Sequence, residues 1–458
     1  MAVTAVGTGG IGQPVLRKED LRLLTGQGRY TDDVSLPDAL HVAMVRSPHA
    51  HACITGIDAA AARRLPGVAA VLTAAELAAD GIGLMPCYSA IAGLVDVPLK
   101  NRDGSPTLVT PLPLLASDRV RFVGEIVAAV VAETRAQALD GAEAVEVSYA
   151  PLPAVTVTPR AAAAGAPALW DVVPGNVCID AGFGDEAATA AAFARADHVV
   201  RLETQINRVT GVMMEPRSAQ CAYDAAAGRF TLYCGGDNSV RLKRDIAAVM
   251  GVAPEAVRVI ARDIGGNFGT RNWNYPEYGL VAWAARRLGR PARWTAVRSE
   301  AFLSDLQGRD LYVEAELAVD RGGKFLGLRA QLTSNVGAHT VSFVPLNKTS
   351  ELLSAVYDIP AAWVRSRAVV SNTVSTAPYR SAGRPEAMFI MERLVDRAAR
   401  AHGFDPVALR RMNMIRDDKL PYTNPLGLTY DSGTFGAAME KALAIGDWAG
   451  YPARRAAA

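Results

Sequence analysis

The run Arg262-Asp-Ile-Gly-Gly-Asn-Phe-Gly-Thr-Arg271 constrains this chain more than any other stretch. It follows an alternating apolar segment (Val257, Val259, Ala261) and precedes an amphipathic pattern opened by Pro276. A strand, a glycine loop and a helix in that order can bring backbone N–H groups against the oxygens or sulfurs of a ligand. Alone, the run fits equally well a plain strand-to-helix turn. Its meaning depends on what accompanies it.

With 458 residues the chain has room for two to four domains, at about 150 residues each. Half its residues are hydrophobic and 21% are charged, as in a globular protein with a large core. The net charge is +2 and the basic residues are dispersed, so electrostatics give no case for nucleic acid or an anionic membrane surface. The N-terminus lacks the basic and apolar regions of an export signal. No apolar run reaches the roughly 18–20 residues that span a bilayer. A cytoplasmic location is expected. The five cysteines (Cys53, Cys87, Cys178, Cys221, Cys234) contain no C-x-x-C pair, which speaks against a zinc site, an iron–sulfur cluster or a disulfide framework in this chain.

The fold class expected is α+β followed by α/β. Residues 17–155 read as a compact α+β unit. It holds a short strand over 40–45, an apolar strand over 120–131 broken at Gly124-Glu125, and a helix over 134–145 capped by Thr134. Residues 156–176, with prolines, glycine and an alanine run, read as a linker. Residues 177–458 read as a larger α/β unit. Asn238 is placed to cap a helix with the stripe Leu242, Ile246, Val249 and Met250, ended by Gly251. Pro276 and Gly289 bracket a second helix. Strands over 311–319 and 325–332 flank a hairpin turn at Asp320-Arg-Gly-Gly323. Pro385 opens the most regular helix, stopped by Gly403.

Two motifs read as misleading. Gly7-Thr-Gly-Gly-Ile-Gly12 matches the dinucleotide fingerprint, but no strand precedes it and Pro14 stands where its helix should begin; a flexible arm is expected. His49 and His51 could share one face of a strand, yet no third ligand stands near, so a structural role is expected. No nucleophile elbow, catalytic triad or phosphate loop is present in the sequence. Any difficult chemistry falls to a cofactor.

Three motifs in order, Met214-Glu-Pro-Arg217, the glycine run, and Pro378-Tyr-Arg-Ser-Ala-Gly-Arg-Pro-Glu386, together resemble the molybdenum-binding large subunit of the xanthine dehydrogenase/aldehyde oxidase family. Arg17–Gly26, Tyr30–Asp33, Arg46–His51 and Phe122–Ala132 extend the resemblance and imply that family's α/β hammerhead domain, followed by its first molybdopterin-binding domain. The resemblance implies a molybdenum–molybdopterin cofactor in its cytosine dinucleotide form. Asp237, Gly265, Gly266, Phe268, Gly269, Arg380 and Ser381 are its implied contacts, with the backbone of Phe268 and Arg380 flanking the ligands of the metal. Asn272 and Ala382 are the implied substrate-pocket residues. Oxidation of an aldehyde or N-heterocycle with water-derived oxygen is implied, with electrons leaving through iron–sulfur clusters and FAD on partner subunits.

Departures from the family pattern shape the substrate expectation. Asp237 stands where many members have a glutamine. Asn272 replaces the glutamate of purine oxidisers, and Ala382 a phenylalanine that sandwiches aromatic substrates. Ser381 replaces the copper-binding cysteine of carbon monoxide oxidisers. Xanthine and carbon monoxide are therefore disfavoured. The catalytic glutamate of the family lies in a second cofactor-binding half that nothing here matches, so no catalytic residue is assigned to this chain; the glutamate is expected on a partner carrying that half, and the chain by itself is expected to be inactive. The alternative is an inactive, truncated remnant or scaffold.

Overall fold

The structure, a computed structural model, describes residues 15–87, 96–236 and 238–458. The Gly7–Gly12 motif and Asp237 lie outside the described residues. The stretch Ile126–Ala132 has no polar side chain to offer water, so it folds where both faces are covered, with every residue buried. It lies in a seven-stranded sheet in the order Val257–Ile260, Arg229–Cys234, Ser218–Asp224, Ala292–Thr295, Leu40–Arg46, Ile126–Ala132 and Val68–Thr73. The helix Arg135–Glu143 packs on one side of its Leu40–Arg46 and Ile126–Ala132 strands. Thr134 caps that helix, with Gln137 completing a reciprocal capping box.

This sheet joins the N-terminal and C-terminal parts of the chain. Leu40–Arg46 runs parallel to Ala292–Thr295, pairing Leu40 with Ala292 and His41 with Arg293. The N-terminal segment straps the sheet further: Gln220 Nε2 donates to the carbonyls of Thr31 and Val34 at 2.7 and 2.8 Å.

A five-stranded sheet carries the rest, in the order Val177–Gly184, Ala362–Val370, Phe325–Gly337, Leu311–Val319 and His198–Ile206. The expected hairpin is its Leu311–Val319/Phe325–Gly337 pair. Helix Arg384–His402 packs on it through Ile390, Met391, Leu394 and Val395, all fully buried, and Gly403 ends it in the left-handed region. Asn238 precedes helix Ser239–Met250 as expected, but its side chain makes no capping bond. Residues 156–176 are more than a tether. Thr158–Ala161 forms a helical turn, and Leu169, Trp170 and Val173 enter the five-stranded core, with Trp170 Nε1 donating to the Ala338 carbonyl at 2.7 Å. The alanine and proline content of this segment hides that apolar trio in the sequence.

The two histidines singled out by spacing are structural. His51 is buried with Nδ1 2.7 Å from the Pro153 carbonyl, and His49 packs against Tyr149. The five cysteines are free thiols. Among the described residues, no helix is long and apolar enough to cross a membrane.

Candidate functional site

The glycine loop leaves the seven-stranded sheet after Val257–Ile260; the turn at 379–383 leads into the helix packed on the five-stranded sheet. Connecting backbone sews the two regions together. Gly308 and Val209 exchange N–H···O bonds at 2.8 and 3.1 Å, and Gln307 bonds both Ser375 and Ala377. The segments then approach so closely that side chains are excluded. A Cβ on Gly269 would lie 2.5 Å from the Pro378 carbonyl oxygen, and one on Gly308 would lie 2.3 Å from the Tyr379 Cβ. At the meeting point the Arg380 N–H donates to the Phe268 carbonyl at 2.9 Å.

The backbone here is costly. Gly266, Phe268 and Gly269 have φ of 116°, 50° and 95°, and Ser381, Ala382 and Gly383 have 68°, 25° and 82°. Left-handed conformations at Phe268, Ser381 and Ala382 each cost of order 1–3 kcal/mol and persist only where surrounding contacts impose them. Arg309 is one such contact. Its guanidinium pairs with Glu386 at 2.8 Å, donates to the Arg380 carbonyl at 2.9 Å and lies 5.3 Å from the centre of the Tyr379 ring. Sequence reading missed Arg309, because an ion pair to a distant helix start leaves no local pattern.

Gly265, Gly266, Phe268, Gly269, Arg380 and Ser381 are therefore brought into one region. Phe268 is 43% exposed. Among the described residues, the N–H groups of Gly266, Asn267 and Phe268 meet no protein acceptor. The expected pocket residues differ in setting. Asn272 accepts from Asn267 Nδ2 at 2.6 Å and so is turned towards the loop, whereas Ala382 sits in the strained turn. Among the described residues no cluster of three His, Cys, Asp or Glu side chains could hold a metal. What the site offers is unpaired backbone donors beside a crowded, strained turn. That suits a group that brings its own metal ligands and needs hydrogen-bond donors from the protein.

Two charged anchors hold the loop from behind. Asp263, at its entry, takes Arg22 in a fork at 2.5 and 2.6 Å and the Arg29 N–H at 2.7 Å, and these donors hold its carboxyl down at about 2. Glu215 bonds Gly265 and Arg271. The next residue of that motif but one, Arg217, is fully buried. Its Nε lies 2.5 Å from Asp305, and its Nη2 lies 3.0 Å from Glu277 and 2.7 Å from Ser304. Its Nη1 is 2.9 Å from Glu277 Oε2 without hydrogen-bond alignment, a Coulombic contact only. Arg46 closes the network from the N-terminal part, 2.7 Å from Glu277 and 2.7 Å from Glu300.

Burial pushes the Glu277 carboxyl up, but Arg217 and Arg46 more than offset this and hold it at about 2, below its ordinary 4.5. A depressed carboxyl adds stability that is complete above its unfolded value and disappears as pH falls through its folded value. The stability gap between the wild-type chain and Glu277→Gln should accordingly be constant above pH 4.5 and close between pH 4.5 and about 2. Urea unfolding at stepped pH measures this. A gap that stays constant down to the lower limit would mean that Glu277 is not held ionised by the two arginines.

Known proteins share this fold. The molybdopterin cofactor-binding domain model matches residues 169–414, and the model of the aldehyde oxidase and xanthine dehydrogenase a/b hammerhead domain matches residues 25–153. The 6-hydroxypseudooxynicotine dehydrogenase complex subunit gamma of Paenarthrobacter nicotinovorans is 36% identical over 92% of this chain and 52% of its own. The carbon monoxide dehydrogenase large chain of Hydrogenophaga pseudoflava is 33% identical over 96% of this chain and 54% of its own. Quinoline 2-oxidoreductase from Pseudomonas putida 86 superimposes with a TM-score of 0.87 at 34% identity, over 96% of this chain and 55% of that one. The chain thus spans about half the length of the relatives it matches. With both domain models matched in chain order, the chain belongs to the molybdopterin-binding large-subunit family of the xanthine dehydrogenases and aldehyde oxidases.

Proposed function

We propose that this chain forms one wall of the molybdenum-cofactor site in a hydroxylase that oxidises an N-heterocycle or an aldehyde. The observation that carries this is the contact between Phe268 and Arg380, two strained backbone turns from different sheets joined at 2.9 Å. Bound there, the cofactor supplies the two-electron oxidation and the activated water oxygen. The chain's own part is to hold and orient. Gly265 and Gly266 form the approach to the pterin, and Phe268, Gly269, Arg380 and Ser381 present backbone beside the metal's ligands. Asp237, outside the described residues, is a further cofactor contact that the family resemblance implies. Ala382, in the strained turn, and Asn272, its side chain held by Asn267, border the substrate pocket.

In this reading residues 17–155 are the hammerhead unit and 177–458 the first cofactor-binding unit. A second cofactor-binding half, carried on the same polypeptide or a partner, supplies the general-base glutamate and the other wall. Iron–sulfur and flavin subunits take the electrons, and the cofactor is the cytosine dinucleotide form. The open setting of Phe268 supports a two-walled site, because a cofactor held on one exposed face would lose contacts; each 1.4 kcal/mol forgone weakens binding about tenfold. Without that second half the chain is inactive.

The names of relatives point to ring nitrogen compounds in one case, quinoline, and to carbon monoxide in another. Ser381, where carbon monoxide oxidisers have a copper-binding cysteine, favours the first, while Asn272 and Ala382 count against xanthine. The complex captured through a tag on this chain should contain molybdenum and turn over N-heterocycles or aldehydes in preference to xanthine and carbon monoxide. Metal analysis and a substrate panel with an artificial acceptor test it. Xanthine or carbon monoxide as best substrate by kcat/KM overturns the substrate assignment; a captured complex without molybdenum overturns the whole reading.

A further inference from the structure

We infer that Glu215 is a positioning residue for the cofactor site, acting through Arg271 to fix three backbone segments as one surface. The inference rests on the function proposed above. Glu215 and Gly265 are linked in both directions: the Glu215 N–H donates to the Gly265 carbonyl at 3.1 Å, and the Gly265 N–H donates to Glu215 Oε2 at 2.8 Å. Their contact is so close that a Cβ on Gly265 would lie 2.3 Å from the Glu215 Cβ. Glycine at 265 is thus demanded by the protein itself, whatever ligand lies beyond.

Arg271 closes the far end of the loop. Its Nη1 lies 3.0 Å from the same Oε2, and its Nη2 donates to the Glu215 carbonyl. Both ends of the glycine loop are thereby tied to one residue. A third segment, Gly235-Gly236, passes close to the same two residues. A Cβ on Gly235 would stand 3.4 Å from Glu215 Oε2, and one on Gly236 would stand 2.9 Å from the Arg271 carbonyl oxygen.

The pair is poorly built for stability alone. Arg271 is 1% exposed at its side chain and Glu215 13%, yet Glu215 Oε1 and Arg271 Nε are buried with no hydrogen-bond partner. A buried ion pair repays its desolvation only when its remaining donors and acceptors are also satisfied, and an apolar pair of similar volume often serves stability as well or better. What an apolar pair cannot do is bond the Gly265 N–H and the Glu215 carbonyl together. The geometry, more than the energy, is what these two charges supply.

The test uses the complex captured through this chain, with molybdenum content and thermal unfolding as readouts. Glu215→Gln keeps an oxygen for Gly265 and Arg271 but removes the charge opposite a buried guanidinium. It should lower molybdenum per chain by about 10- to 100-fold, the range usual for groups that support ligand-holding residues. The double variant E215L/R271M removes both charges; it should recover the thermal midpoint while leaving molybdenum low. Arg271→Lys, should the double variant fail to fold, keeps the charge without the planar fork, and should also lose molybdenum. Recovery of metal together with the midpoint in E215L/R271M, or full loading of Glu215→Gln or Arg271→Lys, would reduce the pair to a structural role and overturn the inference. Wild-type complex lacking molybdenum would instead sink the underlying function, and the inference with it.

Discussion

Replacing Arg217 with methionine is expected to destabilise the chain by about 3–5 kcal/mol, the loss typical of removing one partner from a buried ion pair. The guanidinium is wholly inaccessible and lies 3.8 Å from the centre of the Tyr275 ring, sandwiched between Asp305 and Glu277. Methionine matches much of its volume but leaves two carboxylates behind. Glu277 keeps Arg46 at 2.7 Å, whereas Asp305 loses its ion-pair partner and must be desolvated without compensation. The damage should also spread across the sheet junction, because Arg46 comes from the N-terminal part and Arg217 from the C-terminal part. Arg217→Lys should fall between the two, retaining charge without the fork that reaches Asp305, Glu277 and Ser304 at once. Urea unfolding followed by circular dichroism decides the matter. A cost for Arg217→Met under about 1 kcal/mol, the size of an exposed ion pair, would show that the network is solvated in the working protein.

Gly269→Ala should abolish most activity of the loaded complex, by about 100-fold, the penalty associated with misplacing a reacting group by about 1 Å. Two effects combine. The residue sits at φ 95°, and the added Cβ would lie 2.5 Å from one backbone atom of Pro378 and 3.2 Å from another. Backbone cannot rotate aside as a side chain can, so the loop and the 379–383 turn must separate. The Arg380–Phe268 hydrogen bond next to the clash is the contact most exposed to that movement. Gly251→Ala is the matched control. It also has positive φ, at 65°, but a Cβ there meets nothing within 4 Å. It should cost about 1 kcal/mol of stability and leave turnover intact. Molybdenum content, kcat and thermal midpoint measured on both variants separate local strain from loss of the site. Gly269→Ala with near-normal turnover would mean that the close approach of the two turns is not required.

Much of this was legible along the chain. The helices Pro276–Leu288 and Arg384–His402, the strand Ile126–Ala132 and the cap at Thr134 were announced by local signals. Each depends on residues within a turn or two of one another: proline at the start, glycine at the end, an unbroken apolar run, a capping side chain three residues from its partner. The three motifs, read in order, also carried the family. The sequence therefore determined the elements, the family and which residues to watch.

Tertiary structure decided what surrounds those residues. That Leu40–Arg46 would pair with Ala292–Thr295, making one sheet from two ends of the chain, follows from burial summed over many distant side chains and from no pattern near either strand. The same holds for Arg309 reaching Glu386, for Arg46 reaching Glu277, and for the packing of residues 156–176 into a core. Glycine at 265 and 269 looked like a provision for a ligand. The fold shows Gly265 pressed on Glu215 and Gly269 on Pro378 before any ligand is considered. A single sequence states that a side chain is missing at a position, but only the surrounding atoms state what fills the space.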